Sequence, residues 1–589
     1  MNKGSLNVSG LSCAILAVVI ITGLLHLGAR LREIQVVSAA NYGYASDRQS
    51  VRRVQTAGLR GRILDRHGVM LAGNRTSVSI VCQPSAFQKR AWEETVAEVD
   101  HAIAAVAKTI ERRERPSVAS IRRHINESPS LPFPVWRDIS ERELAVFSEH
   151  ELEFRGFSVE ETEERFYPFG SVAAHVLGYV GRDRGNSVAG DEKFNFFARE
   201  MCGRSGLEGF YDGFLRGVPG EEKLLVDARG FATREWTVIE PQRGPDLVLS
   251  LDIRIQQIVE RQLVDECGAC VVMNPRNGEI LAMASSPTFD LNAFVPILSH
   301  SLYEKHANDP RQPLLNRASG GAYAPGSTFK PITALAGLSL GYPETTRYFC
   351  NGLFELGQMK LHCSSRWGHG ELDIRHALMK SCNPFFCNLG TEVGTNALFR
   401  AARAFGLGSK TGVDLGVDMA GVVPDAEWKQ KMYRERWFVG DLIQMSIGQG
   451  MLLVSPLQMA CVAGALGTGS LVVPHLKLDL VTEKKPFPFS QDQLLVVREG
   501  MRMVVDGDGH DRGTGWRAGE GVSVPVSGKT GTAEIGLGVR RRKNAWFIGY
   551  APSDDPCVSI AMVVENGASG GGTTAPRAGE ILKAIFDVR

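Results

Sequence analysis

The feature that most constrains this 589-residue chain is an apolar run close to its N-terminus. Residues 11–29 contain no Asp, Glu, Lys or Arg over 19 consecutive positions. As a helix rising about 1.5 Å per residue, the run would span about 28 Å, close to the ~30 Å hydrocarbon core of a bilayer. Ten residues precede it, so we expect the folded domains to lie on its C-terminal side.

The run can be interpreted as a retained anchor or as a cleaved signal peptide. It is longer than the apolar region of a signal peptide, which spans about 7–15 residues. Ser38-Ala39-Ala40 resembles a cleavage site but lies well past the run. Lys3 precedes the run and two arginines follow it, so charge does not orient it clearly. We expect a cytoplasmic tail at residues 1–10 and a transmembrane helix at residues 11–30.

Composition excludes several classes of protein. The chain has 66 Lys and Arg against 65 Asp and Glu, and this balance argues against nucleic-acid binding over a broad surface. A mean hydropathy of −0.08 excludes a polytopic membrane protein. Because 43% of residues are hydrophobic and 22% are charged, the chain can fold into globular domains. At about 150 residues per domain, its length predicts two to four of them.

The residues after the anchor divide at Gly244-Pro245-Asp246, a turn-forming boundary. Residues 31–245 begin with a polar stalk and include a charged, proline-containing insert at about residues 86–160. Residues 246–589 have helical patterns in the middle and strand patterns at both ends. This order predicts a multidomain α+β protein whose last domain is one sheet covered by helices. The predicted strands lie at residues 247–251, 269–273, 279–284, 522–534, 544–550 and 558–565.

Ser327-Thr328-Phe329-Lys330 is the first of three motifs in the last domain. Gly326 permits a tight turn, and Ser327 is expected to begin a helix. Residues i and i+3 share a helix face, so the Lys330 amine could reach the Ser327 hydroxyl. A serine becomes a good nucleophile when a neighbouring base takes its proton, and burial can lower a lysine pKa enough for this.

The second motif is Ser381-Cys382-Asn383, 54 residues after Ser327. A hydroxyl and an amide two positions apart in a tight loop can both face a cleft. Ser381 could pass a proton to a leaving group, and Asn383 could hydrogen-bond a substrate amide. Alone, the motif is weak evidence for a site.

The third motif, Lys529-Thr530-Gly531-Thr532, lies on a predicted strand. Gly531 would let a substrate backbone approach the strand closely. Lys529 supplies positive charge, while Thr530 and Thr532 supply hydroxyls suited to a carboxylate. Each motif alone fits an ordinary helix start, loop or strand, but the three together in this order favour a catalytic site.

The three motifs are the Ser-x-x-Lys, Ser-x-Asn and Lys-Thr-Gly set of the penicillin-recognising acyltransferases, which this chain resembles. Its N-terminal part resembles the pedestal, or dimerisation-type, domain of class B penicillin-binding proteins. Further matches are similar to the elongation-type members of class B. The pedestal residues are Arg60-Gly61 with Asp65-Arg66-x-Gly68, Arg165-x-Tyr167-Pro168 with Gly170, and Gly206-Leu207-Glu208 with Tyr211. The elongation-type residues are Asn316-Arg317-Ala318, Trp367-Gly368-His369-Gly370, Glu427-Trp428-Lys429-Gln430-Lys431 and Gly448-Gln449-Gly450.

The resemblance implies a peptidoglycan D,D-transpeptidase. Ser327 would attack a D-Ala-D-Ala stem peptide, terminal D-Ala would leave, and an amine of a neighbouring stem would take the acyl group. β-Lactams would acylate the same serine. The resemblance also implies a catalytic domain outside the cytoplasmic membrane. Expected partners are a RodA-type glycosyltransferase and other proteins of the rod complex.

Four other functions remain open at this point. A division-type class B enzyme would share all three motifs. A D,D-carboxypeptidase would use water in place of the amine. A β-lactamase would need a group that activates water against the acyl-enzyme, and the sequence identifies none. A β-lactam sensor would need a signalling domain across the membrane, for which ten residues leave no room.

Ten of the eleven cysteines would lie on the oxidising side of the membrane and need an explanation. Cys350, Cys363, His369 and Cys382 supply three thiolates and one imidazole, a complete tetrahedral zinc set. The resemblance supports a structural zinc, because some elongation-type relatives have Cys, Asp and His at matching positions. A disulfide or separate buried thiols are the alternative. The chemistry itself requires no cofactor.

Overall fold

The computed structural model describes residues 10–38, 50–182, 196–197, 201–295, 298–481, 484–485, 487–535 and 542–588. Its first element is the helix Gly10–Arg32, which continues as a π-helical turn over Glu33–Val37. The stretch Cys13–Val37 has a hydropathy of 2.1, and no part of it is buried inside the molecule. This helix is long and apolar enough to cross a membrane. The expected tail at residues 1–10 lies, apart from Gly10, outside the described residues.

Two sheets form the first domain. A four-stranded sheet has the order Ala232–Ile239, Gly220–Val226, Val51–Thr56, Phe196–Phe197. A five-stranded sheet has the order Leu247–Val248, Ile63–Leu64, Met70–Cys82, Phe133–Trp136, with Phe157–Phe166 also paired to Met70–Cys82. Val180–Arg182 and Met201–Gly203 form a separate pair.

Short helices complete this domain. Three helices of the insert pack their apolar faces into one core with the strands Met70–Cys82 and Phe133–Trp136. They are Trp92–Thr109, Val118–Glu127 and Glu141–Glu149. The remaining helices are Ala174–Leu177, Gly206–Phe210 and Asp212–Leu215, with 3₁₀ turns at Pro84–Phe87 and Glu151–Glu153.

A buried ion-pair cluster holds distant parts of the first domain together. Glu208 is fully buried and accepts hydrogen bonds at 2.6 Å from both Arg60 Nε and Arg165 Nε. Arg60 also donates to Asp212 at 2.7 Å, and the Tyr167 hydroxyl donates to Glu208 at 3.3 Å. Removing one member would leave an uncompensated buried charge, which costs about 3–5 kcal/mol. The pedestal residues identified from the sequence therefore form one structural unit.

The last domain contains a five-stranded antiparallel sheet built from both ends of its sequence. Its order is Ile280–Ser286, Gly268–Met273, Val558–Val564, Arg542–Ala551, Ser527–Ile535. Val271 and Met273 point into one core, and Cys270 and Val272 point into the other. Because both faces are buried, Gly268–Met273, Ile280–Ser286 and Val558–Val564 are largely apolar, whereas the edge strand Ser527–Ile535 carries the polar third motif. The sheet covered by helices agrees with the expected fold class.

Helices cover both faces of this sheet. Ile253–Arg261 and Ala575–Val588 pack on one face, and Pro456–Thr468 packs on the other. The other helices are His300–Ala307, Arg317–Gly320, Lys330–Ser339, Ile374–Met379, Asn383–Val393, Thr395–Ala404, Ala426–Tyr433, Val439–Ser446 and Gln491–Asp506. Short strands form three further pairs: Tyr348–Cys350 with Gly370–Leu372, Leu353–Leu356 with Met359–His362, and Leu471–Val472 with Lys484–Lys485. Remaining turns are Leu291–Phe294, Gly326–Phe329, Trp516–Ala518 and Gly570–Thr574.

Candidate active site

The Ser327 segment is a tight turn that precedes a buried helix. Gly326–Phe329 forms a 3₁₀ turn, and the α-helix begins at Lys330, three residues later than the sequence suggested. Gly326 has a φ of +56°, and its N–H donates to Gly448 O at 2.8 Å. Ser327 is half-buried between fully buried neighbours. Its hydroxyl makes no hydrogen bond to any residue that the structure describes, so it is available to a substrate.

Lys330 lies fully buried behind Ser327. Its Nζ donates at 2.7 Å to both Ser381 O and Asn383 Oδ1, and at 3.4 Å to Ser381 Oγ. Burial lowers the pKa of this amine to about 8. An appreciable fraction of Lys330 is therefore neutral near physiological pH and able to accept a proton.

The second motif lies in a loop between the helices Ile374–Met379 and Asn383–Val393. Ser381 has a φ of +54°, an uncommon left-handed conformation for a residue that is not glycine. Such backbone strain is concentrated at functional sites. The sequence suggested that Asn383 hydrogen-bonds a substrate amide. In the structure its side chain bonds to protein groups: Nδ2 donates to His362 O at 2.9 Å, and Oδ1 accepts from Lys330.

Lys529 completes a cluster with Lys330 and Ser381, which we call the catalytic cluster. The strand Ser527–Ile535 carries Lys529, whose Nζ donates to Ser381 Oγ and to Thr530 O, both at 2.9 Å. Burial, followed by the charge of Lys330, lowers the pKa of Lys529 well below its ordinary value. Two buried amines thus share one hydroxyl, and the charge of Lys330 disfavours protonation of Lys529.

The rest of the third motif packs against the Ser327 turn. A Cβ atom at Gly531 would lie 2.8 Å from Thr328 Cγ2, so this glycine permits the strand to approach the turn itself. Thr530 Oγ1 donates to Thr514 Oγ1 at 2.9 Å. Thr532 O accepts from Gln449 Nε2 at 3.2 Å. The three motifs therefore contact one another.

Sequence reasoning missed three supporting residues: Thr514, Gln449 and His362. Gln449 belongs to the Gly448-Gln449-Gly450 run, which the resemblance singled out without assigning a role. Thr514 and His362 lie in no recognisable motif. Each contacts a motif residue across a large sequence separation, which only the fold reveals.

A second cluster lies next to the second motif and is called the thiol cluster. It contains Cys350, Cys363, His369 and Cys382, whose possible ligand atoms all lie within 4.8 Å of one another. Cys363 Sγ lies 3.9 Å from Cys382 Sγ and 3.5 Å from His369 Nδ1. Cys350 Sγ lies 3.7 Å from the same nitrogen. The hydrogen bond between the Cys363 and Cys382 side chains lowers the pKa of Cys363 and raises that of Cys382.

These distances fit a tetrahedral metal ion. With Zn–S near 2.3 Å and Zn–N near 2.0 Å, a tetrahedral site would place adjacent sulfurs about 3.8 Å apart and sulfur and nitrogen about 3.6 Å apart. A disulfide would instead require an S–S distance of about 2.05 Å, and no disulfide forms among the cysteines that the structure describes. The cluster could therefore bind a metal ion.

Fold and site together define a serine acyltransferase of the penicillin-recognising class. Residues 268–587 match the family model "Penicillin binding protein transpeptidase domain". Residues 55–249 match "Penicillin-binding Protein dimerisation domain".

Similar proteins extend this assignment over nearly the whole chain. It is 31% identical over 605 residues to peptidoglycan D,D-transpeptidase MrdA of Escherichia coli K12, covering 98% of this chain and 93% of that protein. It is 32% identical to the MrdA protein of Acinetobacter baumannii, covering 96% of this chain and 86% of that protein. The structure of Helicobacter pylori PBP2 in complex with MreC is similar, with a TM-score of 0.78 at 28% sequence identity. The similarity covers 91% of this chain and 99% of that chain. The chain belongs to the class B penicillin-binding proteins, in the elongation-type group of MrdA and PBP2.

Proposed function

We propose that this chain is a peptidoglycan D,D-transpeptidase of cell elongation that works through an acyl-enzyme on Ser327. The observation that carries the proposal is the hydrogen-bonded network of Lys330, Ser381 and Lys529 behind Ser327. It joins all three motifs, two buried amines and a free hydroxyl at one cleft. Such a set suits acyl transfer, because a base and a proton path lie beside the nucleophile.

In the acylation step, neutral Lys330 takes the Ser327 proton and Ser327 Oγ attacks the carbonyl carbon of the penultimate D-Ala. The backbone N–H groups of Ser327 and Thr532 hold the oxyanion, each contributing about 3–4 kcal/mol as such donors do elsewhere. The C–N bond then breaks. Ser381, bonded to both amines, passes the proton to the departing D-Ala.

The remaining third-motif residues bind the substrate. Lys529 donates a hydrogen bond to Ser381 Oγ and so orients this hydroxyl, and Thr530 and Thr532 offer hydroxyls to the terminal carboxylate of the donor. Gly531 keeps this strand close to Ser327. In the second step the amine of another stem peptide attacks the ester, loses its proton to the same network and frees Ser327. β-Lactams acylate Ser327 by the first step alone.

The thiol cluster is proposed to hold a structural zinc. Cys350, Cys363 and His369 would anchor one side of the ion, and Cys382 the other. Because Cys382 lies between Ser381 and Asn383, the ion would hold the second motif against the strands around residues 350–370. Zinc bound in this way stabilises a fold and takes no part in the reaction.

The helix Gly10–Arg32 is proposed to anchor the chain in the cytoplasmic membrane by a single pass. We assign residues 31–245 to the pedestal and residues 246–589 to the transpeptidase domain, both on the outer side, and the strand Leu247–Val248 crosses this boundary to pair within the pedestal sheet. A similar structure concerns polymerization and crosslinking by a peptidoglycan synthase complex, with a TM-score of 0.73 at 28% identity and 98% coverage of both chains. We therefore propose MreC and a RodA-type glycosyltransferase as partners of this chain.

Mass spectrometry of the intact protein after treatment with a fluorescent penicillin tests the proposal. We expect one adduct per chain, mapped to the peptide that contains Ser327 and absent in Ser327→Ala. The exposed Ser301→Ala is a matched control and should keep the adduct. An adduct on another residue, or none, would contradict the assigned nucleophile.

A further inference from the structure

Two exposed arginines near the third motif lie over one tryptophan and have no counter-ion. The Cζ atom of Arg512 is 4.4 Å from the centroid of the Trp516 ring, and that of Arg517 is 5.3 Å from it. Both arginine side chains are exposed. Neither guanidinium makes an ion pair or a hydrogen bond within the part of the chain that the structure describes. We call these three residues the Trp516 group.

The chain segment that carries the Trp516 group contacts two of the three motifs. Thr514 lies between the two arginines in sequence and accepts a hydrogen bond from Thr530 Oγ1 of the third motif at 2.9 Å. The Thr514 hydroxyl also donates to Met379 O, just before the second motif, at 3.3 Å. The Trp516 group is therefore attached to the same part of the domain as the residues proposed to bind the donor.

The hydroxyls proposed to bind the terminal carboxylate of the donor lie around Thr514. Thr530 contacts it directly, and Thr532 Oγ1 accepts from Gly570 N at 3.4 Å. A Cβ atom at Gly571, the next residue, would lie 2.5 Å from Thr514 O. The three threonines and the two glycines thus form one polar neighbourhood beside the Trp516 group.

A carboxylate bound in this neighbourhood is stabilised by a nearby cation, and the lysines of the two motifs are poor candidates. Burial lowers the pKa of Lys330 to about 8 and that of Lys529 well below its ordinary value. Lys380 is already paired with Asp511 at 2.5 Å. The guanidiniums of the Trp516 group have no such partner, and their residues are only two and three positions from Thr514.

The acidic side chains of the same segment do not neutralise these arginines. Asp506 accepts a hydrogen bond from Arg502 at 3.0 Å, and Asp508 accepts from the backbone N–H of His510 at 2.9 Å. Glu520 forms no ion pair with any of the described residues. Both guanidiniums are therefore available to an anionic ligand from solution.

We propose that the Trp516 group is a cationic subsite for the terminal carboxylate of the donor peptide. Arg512 and Arg517 attract this carboxylate toward Thr530 and favour donors that carry it over neutral ones. Stacking on Trp516 restricts the two side chains before the donor arrives, which reduces the entropy lost on binding. This inference rests on the proposed function and adds to it the residues that select an anionic donor.

The test compares two thiol esters of N-benzoyl-D-alanine as donors for the full-length protein in detergent. The leaving group of the first is thioglycolate, whose carboxylate replaces that of terminal D-Ala. The second has the neutral thioglycolamide, which is similar in size. Arg512→Gln and Arg517→Gln should each lower kcat/KM for the thioglycolate ester about 3-fold, and the double variant about 10-fold, as expected for exposed charges. The kcat/KM for the thioglycolamide ester should not change in any of them.

Charge reversal provides a second measurement. Arg512→Glu should lower kcat/KM for the thioglycolate ester about 10-fold and raise it about 3-fold for an ester of thiocholine, whose leaving group is cationic. Salt screens exposed charges, so both changes should shrink as the NaCl concentration rises. Arg400→Gln is the matched control, because it removes an exposed arginine without an ion pair among the described residues from the helix Thr395–Ala404. It should behave as the wild type with all three esters.

Two results would overturn the inference. One is an unchanged kcat/KM for the thioglycolate ester in the double variant. The other is an equal loss for the charged and neutral esters, which would assign the arginines a purely structural role. Failure of the proposed function is distinct, because the wild type would then form no Ser327 adduct with penicillin or with any of the esters.

Discussion

The catalytic cluster and the thiol cluster meet at one loop but are stabilised in different ways. In the catalytic cluster, Lys330 and Lys529 find hydrogen-bond acceptors at 2.7–2.9 Å within the protein. In the thiol cluster, three pairs of possible ligand atoms lie 3.5–3.9 Å apart and all pairs lie within 4.8 Å, distances too long for strong hydrogen bonds. The amines of the first cluster are therefore satisfied by protein groups, whereas the second cluster offers a set of donors that could bind a metal ion.

The largest expected effect is on the rate of acylation, and it separates the chemical role of Lys330 from the structural role of the thiol cluster. Lys330→Met keeps an unbranched buried side chain but removes the base, so acylation by penicillin should slow about 10³-fold. Metal content should not change, because Lys330 is not a ligand. Stopped-flow measurement of adduct formation gives the rate, and the exposed Lys360→Met is the control. A loss below tenfold would argue that another group takes the Ser327 proton.

Disrupting the thiol cluster should have a smaller effect on acylation and a large one on metal. Cys382→Ser should reduce zinc from about one per chain to less than about a tenth. Acylation should slow about 10²-fold, since displacing the second motif by about 1 Å misaligns Ser381.

Metal analysis of protein never exposed to chelator and adduct kinetics measure the two effects. Cys387→Ser removes a buried thiol outside the cluster and should keep the zinc. Full acylation activity in metal-free wild-type protein would contradict the expectation that a metal ion in the thiol cluster positions Ser381.

The pH dependence of acylation tests whether Lys330 of the catalytic cluster acts as the base. Burial lowers the pKa of Lys330 to about 8, so the neutral base is lost as the pH falls through this value. The acylation rate should drop about tenfold per pH unit below 8 and level off above it. Penicillin kinetics from pH 6 to 9.5 on zinc-loaded protein measure this. A flat profile would show that Lys330 does not limit the reaction.

The smallest effect concerns a neutral hydrogen bond. Thr514→Val removes the partner of Thr530 while keeping the side-chain shape, a loss of about 1 kcal/mol or about 5-fold in acylation. The exposed Thr345→Val provides a matched control in the same kinetic assay. An effect as large as that of Lys330→Met would mean that Thr530 supports more than substrate binding.

Much of the fold was predictable because its signals are local. Asp252 was expected to cap a helix, and its side chain accepts from Arg254 N at the start of Ile253–Arg261. The hairpin around Asn274 and Gly278 is present, with Gly268–Met273 and Ile280–Ser286 antiparallel. The strand expected from residue 522 begins only at Ser527, because the residues before it form a loop.

The site was less predictable because its contacts are not local. The motifs identified Ser327, Lys330, Ser381 and Lys529, but not that Lys330 bonds to Asn383. Helical spacing suggested a contact between Lys330 and Ser327, whereas the hydrogen bonds of the amine among the described residues go to Ser381 and Asn383. The left-handed conformation of Ser381 has no sequence signal, because tertiary contacts impose it.

The strand order of the central sheet also determines when during synthesis the active site can form. Gly268–Met273 pairs with Val558–Val564, so nearly 300 residues separate two adjacent strands. During synthesis and export, the first hairpin emerges long before its neighbour, and Lys529 arrives about 200 residues after Ser327. Closing such a loop is slow and leaves apolar strand edges uncovered meanwhile. We therefore expect a nascent or prematurely terminated chain to carry Ser327 without the strand that contains Lys529, and to react with penicillin only once synthesis is complete.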